Sequence, residues 1–464
     1  MRSHQEKIEG SAKSHTNPGR SHSVHSPDTQ RNAVDHSRQH NVRERNSRHP
    51  CRAPRSNKEA DLGPQAEEGR GWRRPRVVIL TNIPAPYRVH QFAQLAGSGR
   101  YDYLIYFCAS SEPNRQWRRS ESFGFRHEIL NARPHTFLGG YSYFIPSFFV
   151  RLLREKPRVV IVGGFSLQLL LARLYGRLRR AGVIVMNDSN ILYEQDLPAW
   201  RTALRRLLVR GIDGGIGCSR LGTDYLRWLG VPSHRIALSR CVNDVVSFSE
   251  LARAFRAVRA EERRRLGLPG EALVLLYVGR LEARKGVVEL LEAFAAVRAT
   301  GTDDLHLLLV GDGSMGESLR RIVTERSLST CVTFAGSSSY EEMPRFYALA
   351  DLTVIPTLRE CYSLVVNEAI AARIPVLCSI FAGARDLLED GCRGLLFNPL
   401  NAREFADVIA HGIRRVQNGG WRLPVEMPCE ILPDTANAAI EELLDQTIRS
   451  TSGRDIAAGI TQRG

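Results

Sequence analysis

The sequence predicts an α/β protein built from two doubly wound, Rossmann-like domains that face each other across a cleft, behind a disordered amino-terminal tail. Three observations carry this reading. The chain has 464 residues, more than one hydrophobic core usually supports. Short β-branched runs alternate with segments of helical spacing, as parallel βαβ units require. The alternation runs twice, with one charged interruption.

Residues 1–74 are rich in Ser, His, Arg, Asn and Gln and have almost no apolar periodicity. Such a segment cannot bury enough surface to offset its ordering entropy, which predicts a disordered basic tail. Its seven histidines are irregularly spaced, as in a solvated tail rather than a metal tract. Order begins at "VVIL", a buried strand between Pro75 and the turn residues Asn82 and Pro84, followed by the helical "YRVHQFAQLAG". "YDYLIYFCA" and "RVVIVGG" read as strands, "FSLQLLLARLYGRLRRAG" as a helix and "VIVMND" as a strand. "AWRTALRRLLVRG" reads as a helix, "GGIGCS" as a short strand and "RLGTDYLRWLG" as a helix. This defines an amino-terminal domain over 75–255. After "ELARAFRAVRAEERRRLGLPGEA" the alternation restarts at "LVLLYVGR" and continues to "NAREFADVIAHGI", a second domain over 256–430. Within 431–464, "DTANAAIEELLDQTIRS" predicts a helix returning to the first domain, then a frayed tail.

Composition narrows the function. Nine scattered cysteines without a CxxC pair argue for a reducing compartment, and against a disulfide framework or zinc site. No charged n-region and apolar h-region open the chain, and "YSYFIPSFFVRLL" is too short to span a bilayer. Residues 1–75 hold fifteen Lys/Arg and nine Asp/Glu, so +9 of the net +15 belongs to the folded body. That surplus favours an anionic partner. Without a reader motif, nucleic acid is not the expected one.

Four stretches hold candidate site residues. Gly311, Gly313 and Gly316 form a G-x-G-x-x-G between a strand and a helix. The next strand, "CVTFAGS", lacks the acid that a dinucleotide ribose needs, so glycines admitting a backbone close to phosphate or sugar are the better reading. Arg280 and Lys285 follow a strand and precede a helix, where two cations make a diphosphate clamp. Glu360 lies in a loop after the strand "DLTVI", and Glu368 in the first two turns of the helix "LVVNEAIAA", deep in apolar sequence. At that helix start the backbone N–H groups of Ser363 and Leu364 point beyond the helix. Acceptors for hydroxyls beside donors and cations for diphosphate are what a nucleotide sugar needs.

The set "VGRLEARKG", "LLLVGDG", "VTFAGSSSYEEMPRFYALADLTVIPT" and Glu360-x7-Glu368 followed by "AIAARIPVLCS" resembles the retaining glycosyltransferases of family 4, over roughly residues 76–415. "TNIPAPYRVHQF" looks like the start of one bacterial branch. The resemblance implies the GT-B fold and a UDP- or GDP-sugar donor. By that resemblance Glu368 holds the nucleotide ribose, Glu360 the transferred sugar, and Arg280 and Lys285 the leaving diphosphate. Gly279, Gly311, Gly313, Tyr362, Ser363 and Leu364 complete the donor-binding set. Ser363 stands where the family often has glycine. Many relatives use a cleft histidine in the first domain; the matching strand end here is "MNDSN", so Asp188 and Asn187 become the candidates for acceptor positioning. Arg88, in the proline-fixed "NIPAPYR", is a candidate anion contact. There is no Asp-x-Asp motif, and neither a metal nor another cofactor is expected.

The expected activity is transfer of a sugar to a glycan or lipid-linked acceptor in polysaccharide biosynthesis, in the cytoplasm or at the inner face of the membrane. In "AWRTALRRLLVRG", Trp200, Leu204, Leu207 and Leu208 share one face, and Arg201, Arg205, Arg206 and Arg210 spread over the other. Such basic helices suit an anionic membrane, although a crossover helix with a solvated back reads the same way. Two other functions fit the same residues: a sugar-nucleotide epimerase, and a non-catalytic nucleotide-sugar-binding subunit.

Overall fold

A computed structural model describes residues 74–460 apart from 113–122, 138–139, 196, 303, 422 and 425. The predicted tail over 1–74 lies, but for Arg74, outside the described residues.

The first sheet begins with β1 (Arg76–Thr81), β2 (Asp102–Phe107) and β3 (His127–Ile129). A hairpin of β4 (Pro134–Phe137) and β5 (Gly140–Tyr143) leaves it, and β6 (Val159–Gly163), β7 (Gly182–Asn187), β8 (Gly214–Gly217) and β9 (Ile236–Leu238) complete it. The seven strands are parallel in the order β3-β2-β1-β6-β7-β8-β9. The connecting helices are α1 (Pro86–Gly97), α2 (Ser147–Glu155), α3 (Leu167–Arg179), α4 (Ala199–Val209) and α5 (Arg220–Leu229). Local chemistry sets their ends. Pro86 opens α1 with a φ already suited to a helix, and the Ser219 hydroxyl caps α5 by accepting from the Gly222 N–H at 3.0 Å.

The second body starts with α6 (Val245–Ala257) and α7 (Arg259–Arg265). Its sheet follows as β10 (Leu273–Val278), α8 (Val287–Arg298), β11 (Leu305–Val310), α9 (Gly316–Glu325), β12 (Val332–Gly336), α10 (Met343–Leu349), β13 (Leu352–Ile355), α11 (Leu364–Ala371), β14 (Val376–Ser379), β15 (Gly394–Phe397) and α12 (Ala402–Gln417). Strand order is β12-β11-β10-β13-β14-β15, all parallel. Order reverses at β10, so the crevice at the carboxyl ends of β10 and β13 is where a ligand is expected.

Both sheets are packed on two faces. Val78, Leu80, Val160 and Val162 meet α2, α3 and α5 through Phe148, Leu152, Leu169, Ala172, Tyr175 and Tyr225. Val77, Ile79 and Ile161 face the other way, onto Phe92 and Leu95 of α1 and onto Ile440, Leu443 and Leu444 of α13 (Pro433–Ile460). Each such fully buried side chain contributes about 1.5–3 kcal/mol. The last helix therefore returns to the first sheet, tied by Ser98 and Arg100 donating to Glu441 at 2.6 and 3.0 Å.

One boundary differs from the sequence reading. Phe248 and Ala252 of α6 pack in the core of the second sheet with Val274, Leu276 and Tyr347, so that body begins at α6 rather than after residue 255. The arginines of this stretch masked its inward face. Arg263, itself buried, donates to the carbonyls of Leu349, Gly270 and Ala272 and to Asp351.

Candidate active site

Two loops at the switch point form the centre. The loop after β10 runs through Arg280 and Lys285, and the loop after β13 runs from Pro356 to Ser363. They fit together because Gly286 has φ 69° and no side chain: a Cβ there would lie 2.0 Å from the Pro356 carbonyl oxygen. The Arg284 carbonyl then accepts from the N–H of Leu358 at 2.9 Å and the Thr357 hydroxyl at 3.2 Å.

Across this junction Lys285 Nζ donates to Glu360 Oε2, and the Arg284 guanidinium lies 3.9 Å from the same oxygen. Arg280 pairs with Glu282 at 2.6 Å. Three cations thus stand in the loop after β10, with Glu282 and, from the loop after β13, Glu360 as their counter-ions. Sequence reasoning missed Arg284, although its position beside Lys285 was the available signal.

Glu368 lies on α11, almost wholly buried. Its Oε2 accepts from the Tyr347 hydroxyl at 2.7 Å, and Asn243 Nδ2 stands 3.5 Å from Oε1 and 2.9 Å from the Tyr340 hydroxyl. Burial pushes the Glu368 carboxyl up to about 7, against the lowering effect of the Tyr347 hydrogen bond. The partners Tyr347, Tyr340 and Asn243 come from two segments distant in sequence, and no local pattern announced them.

Ser363 precedes α11 with φ 90° and ψ 92°, a region that favours glycine. The N–H groups of Ser363 and Leu364 precede the first intrahelical bond of α11. Tyr362 is a correction. Its ring is buried in the core, and its hydroxyl donates to Asn367 Oδ1 at 3.1 Å, so it anchors the loop instead of meeting a ligand. The glycines also need a different account. A Cβ on Gly311 would come within 1.9 Å of the Gly279 carbonyl oxygen, and one on Gly313 within 2.5 Å of the Leu281 carbonyl oxygen. The close backbone approach is made by the neighbouring loop, which these residues admit; Gly279 itself takes φ 155°. Gly311, Gly313 and Gly336 line an open pocket with Leu281, Asp312 and Arg320.

The first domain contributes the loop after β7. Asp188 is half-exposed and accepts from the buried Arg88, so the anion that Arg88 meets here is a protein carboxylate. Arg88 is fixed by Gln91, whose Oε1 accepts from it at 2.8 Å. Asn187 turns inward, donating to the Ser189 carbonyl at 2.7 Å, and does not face the crevice. The residue that does is Asn190. Its Nδ2 donates to the carbonyls of Glu360 and Cys361 at 2.8 and 2.9 Å. Arg359 reciprocates, donating to the Tyr193 carbonyl at 2.8 Å with its guanidinium 4.9 Å from the Tyr193 ring centre. The loop carrying Glu360 is therefore held from both domains. The Cys361 thiol is pushed far up by burial, and then by the Glu360 and Asp188 carboxylates.

Asp188, Cys218 and Cys241 bring one ligand atom each within 4.8 Å. The set suits a cation poorly, because the Asp188 carboxylate already serves Arg88 and both thiols are buried.

Residues 258–414 match the family model described as glycosyl transferases group 1. The alpha-D-kanosaminyltransferase of Streptomyces kanamyceticus is 35% identical over 153 residues, 33% of this chain and 39% of that protein. A D-inositol 3-phosphate glycosyltransferase of Thermomonospora curvata is 30% identical over 209 residues, 40% of this chain and 48% of that one. The chain thus spans less than half the length of these curated relatives. Among solved structures, Anabaena Alr3699/HepE in complex with UDP superposes with TM-score 0.57 at 16% identity, over 83% of this chain and 100% of the other. A Rickettsia africae glycosyltransferase reaches TM-score 0.60 at 12% identity, over 85% and 100%. The fold is the GT-B arrangement of two facing parallel α/β domains, as the sequence predicts.

Proposed function

We propose that the protein is a retaining glycosyltransferase that moves a sugar from a UDP- or GDP-sugar to a glycan or lipid-linked acceptor in polysaccharide biosynthesis. One observation carries the reading: Lys285 and Glu360 meet at the β10/β13 switch point, beside the start of the helix that bears the buried Glu368. All of these residues fall inside the segment that matches the family model. Relatives support the donor class, since HepE binds UDP-glucose and a Mycobacterium tuberculosis relative is named a GDP-mannose-dependent mannosyltransferase.

In this reading Glu368 accepts from the ribose hydroxyls and Glu360 from hydroxyls of the transferred sugar. The bond from the anomeric carbon to the diphosphate oxygen breaks while one to the acceptor oxygen forms. Negative charge grows on the departing diphosphate, where Lys285, Arg280, Arg284 and the N–H groups of Ser363 and Leu364 meet it. No metal is needed for that neutralisation. Asp188, oriented by Arg88, receives the acceptor hydroxyl. The acceptor is met in the cytoplasm or at the inner face of a membrane; among the described residues no helix is long and apolar enough to cross one.

The test is release of free nucleotide from a panel of UDP- and GDP-sugars, with and without an acceptor extract. Acceptor-dependent release supports transfer. Interconversion of the nucleotide sugar without acceptor would indicate an epimerase. Donor binding with no turnover, unchanged in Glu360→Gln, would indicate a binding subunit.

A further inference from the structure

The helices on one face of the first sheet expose what a soluble surface normally hides. On α3, Leu170, Leu174 and Leu178 are 46%, 54% and 63% exposed. Their spacing of four residues places them along one stripe. On α4 the four apolar residues that the sequence put on one face divide between two sides. Trp200, Leu204 and Leu207 face outward, Leu207 at 60% exposure, and the inward contacts are Leu208, Val209 and Arg205. Arg205 turns in because Glu194 and the Tyr225 hydroxyl receive it. The two helices are joined where Arg173 donates to the Leu207 carbonyl at 2.9 Å, so the stripes are neighbours. Trp228 of α5, 45% exposed, extends the ridge and carries the Arg206 guanidinium 4.6 Å above its ring.

Charge tells which occupant this ridge fits. Neither α3 nor α4 contains an Asp or Glu, while besides the inward Arg205 they hold Arg173, Arg177, Arg179, Arg201 and Arg206. Burial and the neighbouring Arg177 both lower the Arg173 pKa, as one guanidinium crowded by another does. Two copies of such a face would repel each other. An anionic lipid surface satisfies both demands at once, taking leucines into the acyl boundary and arginines at the headgroups.

We propose that this α3–α4–α5 face docks the protein on an anionic bilayer, with Leu174, Leu178 and Leu207 inserted and the arginines at headgroup level. As a route to a lipid-linked acceptor the proposal rests on the transferase reading, but vesicle binding does not depend on turnover.

The experiment is co-sedimentation of the full chain with phosphatidylcholine vesicles, with and without phosphatidylglycerol. Binding is expected only with phosphatidylglycerol, and should fall as salt is raised. The double variant L174E/L178E, altered only at exposed positions, should keep its melting temperature and bind about tenfold more weakly or less. Equal binding by variant and wild type would overturn the proposal. So would a dimer in solution that the same substitutions split, because a second copy would then cover the face. Thermal stabilisation by UDP or GDP, read on the same samples, reports separately on the transferase reading.

Discussion

Lys285 Nζ donates to Glu360 Oε2 across two loops whose residues lie 75 positions apart in the chain. Each neutralises the other, and under the transferase reading each would take a different partner once a nucleotide sugar entered. The ammonium can then turn to the diphosphate and the carboxylate to sugar hydroxyls.

In the transferase reading, replacing Lys285 with Ala removes a charge that meets the leaving group. Turnover should fall by about 10²–10³, the usual cost of losing one preorganised contact of this kind. Donor affinity should fall much less, because the interaction strengthens as charge develops. Steady-state kinetics with a nucleotide-release readout checks the split; equal losses in kcat and KM would place the ammonium in ground-state binding.

Asn190 binds the main chain that carries Glu360, not the substrate. Asn190→Ala leaves two carbonyls in a buried junction without their donor, which costs about 1–3 kcal/mol of stability. Turnover should drop with nucleotide affinity nearly intact, since Glu368 and its partners are untouched. A melting curve and a nucleotide titration on the same variant test this together.

Ser363 holds φ 90° without being glycine. Ser363→Gly should relieve that conformation and stabilise the fold by about 1 kcal/mol, the strain relief less the cost of the higher entropy of the unfolded glycine. Chemical denaturation measures it; a destabilised variant would show that the serine hydroxyl contributes more than its backbone costs.

Glu368 makes stability depend on pH in a definite direction. Its carboxyl titrates near 7 when folded and at 4.5 in the reference state. Below 4.5 both states are protonated and the group has no effect. As pH rises to 7 the unfolded chain releases its proton first, so stability is lost through this window and then levels off. The loss totals about 3 kcal/mol. Glu368→Gln should therefore be the more stable protein at pH 8 and match wild type at pH 4, as thermal melts across the range will show.

Local chemistry made much of this legible. β-branched runs and helical spacing placed the strands and helices, because burial on both faces of a parallel sheet imposes continuous apolar strands. Glu360, Glu368, Arg280 and Lys285 stood out as charged residues beside apolar elements at strand ends. What the sequence did not yield was set by contacts distant in the chain. Tyr362 looks like a loop aromatic until Asn367 and the core claim it. Asn190 is one polar residue in a polar loop, and only the meeting of the two domains makes it a latch. Leu208 parts from Trp200, Leu204 and Leu207 and turns inward beside the charged Arg205, which Glu194 and the Tyr225 hydroxyl receive.

Calorimetric titration of wild type and Glu368→Ala with UDP and GDP tests the central claim most directly. The account predicts that wild type binds at least one of the two nucleotides and that the variant binds it about tenfold more weakly or worse, having lost a hydrogen-bonding carboxyl. Equal affinity in the two proteins, or no binding of either nucleotide by wild type, would contradict it.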